Sequence, residues 1–276
     1  MIIGDKRLAL SFGRCPSEDP EGYPGRLSEG SYLLLGDSVL SLTPGASIDG
    51  WLERADATPM ERRSAVLAVG SNASPAQLMR KFAQVADLAI PVLRAWAVGV
   101  RPAFSAHINP AGYIPAAARL AVERSQRCRV WVTFLDDAQL AIMDLTEPSY
   151  DRVLLAHADG GPVVELDSGE SLTACALYRT KRRVLDLEAS GDDGALICQQ
   201  ALRQLITARC LAASGSAPAL FASAELLRSP ASVLMADLVE ISGSGLIVDD
   251  ALDELIVEGK PAPAATESLG QKVPYL

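Results

Sequence analysis

The chain has 276 residues, 49% hydrophobic and 21% charged, enough for one large domain or two small ones and incompatible with a mainly disordered polypeptide. Lysine and arginine number 25 against 34 acidic residues, a net charge of −9, so no basic face for nucleic acid is expected. No run approaches the ~18 apolar residues of a membrane span, and the N-terminus lacks the pattern of a secretory leader.

The five cysteines, Cys15, Cys128, Cys175, Cys198 and Cys210, are odd in number and form no C-x-x-C pair. This spacing predicts neither a disulfide framework nor a zinc knuckle, and points to a reduced cytoplasm.

Residues 1 to about 30 are rich in Gly, Pro and acidic groups and read as a loop or mobile arm. Tyr32–Leu35 and Val39–Leu42 flank Gly36-Asp37, the pattern of a hairpin. A short helix is expected around Trp51–Arg54. Ala65–Val69 is a short apolar run, as in a buried strand, and it ends in Gly70-Ser-Asn-Ala-Ser74. A helix then begins with Ser74 as N-cap, Pro75 at its first position and Gln77 completing a capping box. Leu78, Phe82, Val85 and Leu88 fall on one face of it.

Strands are expected at Ala95–Val100, Tyr113–Leu120, Cys128–Leu135, Arg152–Ala156, Val163–Leu166 and Leu172–Tyr178, with one helix at Asp136–Leu145. Many strands with few helices predict the α+β class, as a small mixed β-barrel or curved sheet. The basic cluster Arg179–Arg183 reads as a solvated strand end rather than a phosphate site. Helices are expected at Ala195–Leu211, Ala224–Val239 and Asp249–Val257, with a tail from Pro261. The boundaries are an N-terminal extension over 1–63, a β-rich core over 64–183, and a helical appendage and tail over 184–276.

Two features carry chemistry. The loop Val69-Gly70-Ser71-Asn72 runs from a strand into a helix, where free N–H groups favour a carboxylate or phosphate, although tight turns use the same residues simply to turn. It has no P-loop pattern. The second is Asp144-Leu-Thr-Glu147-Pro-Ser-Tyr150-Asp-Arg152, where a helix gives way to a strand. Pro148 keeps Glu147 out of the helix and holds it between apolar segments. A desolvated carboxylate there suits a proton shuttle; a surface Glu–Arg pair is the alternative. His107 lies in the turn-rich segment Ala106–Pro115, a possible pocket rim, and His157 reads as a turn residue. No G-x-S-x-G elbow is present.

Together these stretches resemble the γ-glutamylcyclotransferase-like superfamily, whose members carry a Y-G-S-N loop and a downstream L-D-x-x-E-G…Y-x-R segment. The matching residues are Val69–Asn72 and Met143–Arg152, with Val130–Leu135 resembling the strand before the family's glutamate. The likeness covers about residues 64–180. Val69 replaces the loop tyrosine, and Pro148 replaces the glycine after the glutamate.

The resemblance implies an enzyme that cyclises a γ-glutamyl amide to 5-oxoproline and releases an amine. It assigns Glu147 as general base and acid. Val69, Gly70, Ser71, Asn72 and Tyr150 become substrate-binding residues, although alternation places Tyr150 and Arg152 on one strand face, where a structural role serves as well. The substrate is a small molecule with a carboxylate; no metal, organic cofactor, nucleic acid or membrane is implied. A non-catalytic ligand-binding or interaction module on the same fold is the rival reading.

Overall fold

The computed structural model describes residues 12–43, 46–185, 196–215 and 246–257. The helix expected at Ala224–Val239 and the tail from Pro261 lie outside them. The described chain is α+β, with its strands in two sheets and no closed barrel among the described residues.

The hairpin forms as expected, from β1 (Tyr32–Leu35) and β2 (Ser38–Ser41), and α1 (Ile48–Arg54) follows. Next come β3 (Ser64–Ala68), α2 (Pro75–Lys81), β4 (Ala89–Val98), β5 (Val100–Ser105), β6 (Ala116–Leu120) and β7 (Arg127–Leu135). α3 (Asp137–Thr146) leads into β8 (Tyr150–Ala156), β9 (Val164–Leu166), β10 (Ser171–Leu172), β11 (Ala174–Thr180) and β12 (Val184–Leu185). Beyond residue 195 the elements are α4 (Gln199–Ser214) and β13 (Ile247–Val248).

The larger sheet runs β10-β9-β4-β7-β3-β11-β8, and β1 joins β4 along the half that β9 leaves free. The N-terminal hairpin therefore extends the sheet of the core. All pairs are antiparallel except β3 with β11. β3 is buried along its whole length, which explains an apolar run without alternation. Ala65 and Leu67 enter a core with Leu93, Val132 and Phe134, while Val66 faces Leu78, Leu140 and Met143 of α2 and α3.

Several expectations are corrected. The strand expected at Ala95–Val100 spans a break: β4 ends at Val98, and Gly99, at φ +71, turns the chain into β5 of the second sheet. That sheet runs β13-β12-β5-β6. α2 ends at Lys81, so Val85 and Leu88 reach the same core from the loop beyond it. The capping box at Ser74 is not made: no side-chain cap bond forms, the hydroxyl packs beside Gly25, and Gln77 turns to a cavity. The capping box falls on α3 instead, where Asp136 accepts from Gln139 N at 2.9 Å and Gln139 accepts from Asp136 N at 3.2 Å.

The helix expected at Asp249–Val257 is a single 3-10 turn, Leu252–Glu254, between β13 and a bridge from Ile256 to Leu155. Ion pairs hold it open. Arg179 binds Asp250 and Asp253, each at 2.7 Å, and Arg183 binds Asp249 at 3.0 Å. The basic cluster thus ties the C-terminal segment to β11.

Arg63 is 0% exposed and is the largest fully buried side chain among the described residues. It donates to the carbonyls of Thr58 (2.8 Å), Ala89 (3.0 Å) and Phe134 (3.1 Å), and to Gln139 Oε1 at 3.0 Å. Burial lowers its pKa to about 10, so it stays charged at neutral pH. Replacing Arg63 with Met removes a donor from four buried acceptors at once, and is expected to cost about 3–5 kcal/mol, read as a fall in the urea midpoint. Arg63→Lys recovers only part, because an ammonium cannot reproduce the planar fork.

Candidate functional site

β3 and β11 run parallel with Leu67 opposite Leu177, and β8 begins at Tyr150 opposite Thr180 of β11. The end of β3, the end of β11 and the start of β8 therefore share one sheet edge. Val69–Asn72 leave β3 there. Glu147 caps the C-terminus of α3 and, across Pro148, enters β8 at the same edge. All six predicted residues, Val69, Gly70, Ser71, Asn72, Glu147 and Tyr150, line one cavity of about 80 Å³. Arg152 does not: it binds Asp144 at 3.0 and 3.2 Å.

The loop forms a 3-10 turn, Ser71–Ala73, with Gly70 as its N-cap. As its first residues, Ser71 and Asn72 have no carbonyl within the turn to bond, so their N–H groups remain anion-type donors. Gly70 is required by close approach. A Cβ there would stand 2.5 Å from Ala116 Cβ and 2.7 Å from the Tyr23 hydroxyl. Tyr32 secures the far side of the turn by donating to the Ala73 carbonyl at 2.8 Å.

Glu147 does not form the surface Glu–Arg pair. Its partner is Lys81, from the last turn of α2, and both side chains are largely buried, at 15% and 2% exposure. Lys81 Nζ binds Glu147 Oε1, and Asn72 Nδ2 donates to the same oxygen at 2.8 Å. Lys81 also reaches Met143 Sδ at 3.4 Å. Burial pulls the lysine pKa below its ordinary value, against the opposing pull of Glu147. Sequence reasoning missed Lys81. At the end of a helix, with Arg80 before it, it reads as an ordinary solvated cation beside the helix dipole.

Aromatic walls arrive from distant segments. Tyr23 belongs to the stretch expected as a loop or mobile arm, yet it is buried and stacks on Tyr113 with centroids 4.5 Å apart. Its hydroxyl accepts from Ala116 N at 2.5 Å, while Tyr150 donates to Ala116 O at 2.8 Å. Tyr178 donates to Asp144 at 2.7 Å from the same side. Burial pushes the phenols of Tyr23, Tyr113 and Tyr150 well above the ordinary tyrosine range, so they remain neutral donors. Asn109 and Pro115 bring the 106–115 segment to the rim.

His107 is buried and its Nδ1 lies 2.7 Å from Ser105 Oγ, which in turn meets Thr180 Oγ1 at 2.6 Å. This hydroxyl chain lies behind Tyr150, whose ring is 6.1 Å from that of His107, and does not line the cavity. His157 Nε2 lies 3.2 Å from the Val98 carbonyl beside Gly99. Among the described residues no cluster of three or more His, Cys, Asp or Glu could hold a metal ion.

No protein-family model matches the chain, and no curated protein matches it. Among solved structures, a selenomethionine-substituted Kluyveromyces lactis allophanate hydrolase aligns at 11% identity, over 43% of this chain and 17% of the hydrolase, with a TM-score of 0.30. The chain thus spans under a fifth of that enzyme, and a likeness at this score carries no argument about fold or chemistry.

Gly70→Ala is expected to lower stability by about 1–3 kcal/mol through overpacking, with Ala116→Gly in the same chain restoring part of the loss, both read by thermal unfolding. Tyr23→Phe removes the acceptor of the Ala116 N–H and is expected to cost a similar ~1–3 kcal/mol on the same assay.

Proposed function

We propose that the chain is a γ-glutamylcyclotransferase-like enzyme that cyclises a γ-glutamyl amide to 5-oxoproline. The observation that carries this reading is Glu147 held in a cavity beside Ser71 and Asn72, whose amides have no acceptor within their own turn. Lys81 and Glu147 are the charged groups among the lining residues, so the lining is electrically neutral overall. A zwitterionic γ-glutamyl head, ammonium toward Glu147 and α-carboxylate toward the loop, suits it.

In the proposed reaction the substrate's α-amine attacks its own γ-carbonyl carbon. Glu147 first takes one proton from the bound ammonium, freeing the lone pair that forms the ring C–N bond, and passes it to the leaving nitrogen as the amide C–N bond breaks. The second proton of the ring nitrogen follows by the same route, so the lactam is released neutral and the amine as an ammonium. The loop donors offset the charge that builds on the carbonyl oxygen, and the aromatic walls hold the glutamyl chain folded toward attack. The five cysteines stand free, in keeping with a cytoplasmic setting.

The rival reading is a binding module. It is favoured by Val69 at the loop's tyrosine position and by Glu147 being already engaged with two donors. Incubation with γ-glutamyl amino acids, γ-glutamyl amines and glutathione, scored by mass spectrometry for 5-oxoproline, separates the two. Glu147→Gln is expected to lower product formation by about 10²–10⁴-fold with the fold intact. Full activity in that variant overturns the mechanism, and no product from any compound, with a ligand retained on the folded protein, supports the binding module.

A further inference from the structure

We infer that Lys81 is a positioning residue: it anchors Oε1 of Glu147, leaves Oε2 as the oxygen that exchanges protons with the ligand, and supplies the cation in direct contact with the carboxylate. This deepens the acid–base reading of Glu147 and rests on it. The geometry is asymmetric. Lys81 Nζ and Asn72 Nδ2 both converge on Oε1. Oε2 has no hydrogen-bond partner among the described residues, and it is not among the polar atoms sealed from solvent. A carboxylate bound through one oxygen presents the other in a fixed direction, as a proton shuttle in a small cavity requires.

The charge argument follows from what else faces Glu147. Tyr23 from the N-terminal segment, Tyr113 from the 106–115 segment, Tyr150 from β8 and Tyr178 from β11 are phenols that burial keeps neutral. Asp144, one turn back on α3, is taken up by Arg152 and Tyr178. Arg80, the neighbour of Lys81 on α2, is exposed and bonds Gln77 at 3.3 Å. Lys81 is therefore the cation in direct contact, and an adjacent cation favours the charged form of a carboxylate while burial opposes it. Removing the ammonium removes only the first effect, so proton loss from Glu147 should then require higher pH.

The test uses the full chain with Lys81→Met and Lys81→Arg. Glutamate labelled with ¹³C at the carboxyl carbon gives a Glu147 signal, identified by its disappearance in Glu147→Gln. In Lys81→Met that signal is expected to titrate at least about one pH unit higher than in the wild type, with Lys81→Arg returning it most of the way. The acidic limb of the kcat/KM profile for 5-oxoproline release should move by the same amount. An unchanged midpoint in folded Lys81→Met overturns the inference. Should that variant not fold, Lys81→Arg decides, since a midpoint displaced as far as loss of the cation predicts also overturns it. A shifted midpoint in a protein that releases no 5-oxoproline leaves the role of Lys81 standing and overturns the reaction instead.

Discussion

A single buried guanidinium fixes how the carboxylate is aimed. Arg63 binds the Thr58 carbonyl in the connector before β3 and carbonyls at the start of β4 and the end of β7, and through Gln139 it holds the first turn of α3 against them. Gln139 reinforces the joint by donating to the Ala89 carbonyl at 3.1 Å. α3 is ten residues long, so its far end is carried about 15 Å from this anchor, and Glu147 sits there as the cap. A rigid helix pinned at its N-terminus delivers its C-terminal residue to one place. The buried charge is tolerated because fixed carbonyl dipoles replace the water it loses.

The other end of the lever meets a second buried charge. An ion pair such as Lys81–Glu147 seldom gains stability over apolar residues of similar volume, because desolvating two ions offsets their attraction. It sits at the point where the loop, α2 and α3 converge, and Asn72 adds a third member to it. Such a group is better understood through what it prepares than through what it stabilises. The pair sets the orientation of the carboxylate and balances its charge, while four tyrosines supply an apolar wall with polar edges.

Parts of this were legible in the order of residues. The hairpin, the buried β3, the helix after Ser74 and the junction at Glu147 follow from local patterns: apolar runs, turn residues, and a proline that ends a helix. Gly70-Ser-Asn72 and Glu147-Pro148 stand out the same way, because each marks a change of direction in the chain, whereas Val69 and Tyr150 join the candidates only through the family resemblance. Gly70 carried its reason only in space, in the approach of Ala116 and Tyr23. Where local pattern misled, distant partners intervened: the acidic run at 249–253 has helical spacing, but Arg179 and Arg183 bind its carboxylates and only a single 3-10 turn forms.

The sequence by itself determined the α+β class, the strand-to-helix loop and the placement of an acidic residue at a helix end, since each depends on neighbours within a few positions. Only the tertiary structure decided that Lys81 meets Glu147 across 66 positions and that Tyr23 meets Ala116 across 93. A lysine closing a short helix and a tyrosine in a Pro-Gly-rich stretch carry no local sign of burial. What buries them is packing between distant segments, the lysine against α3 and its cap and the tyrosine against Tyr113 and Ala116, and no residue near either of them encodes those contacts.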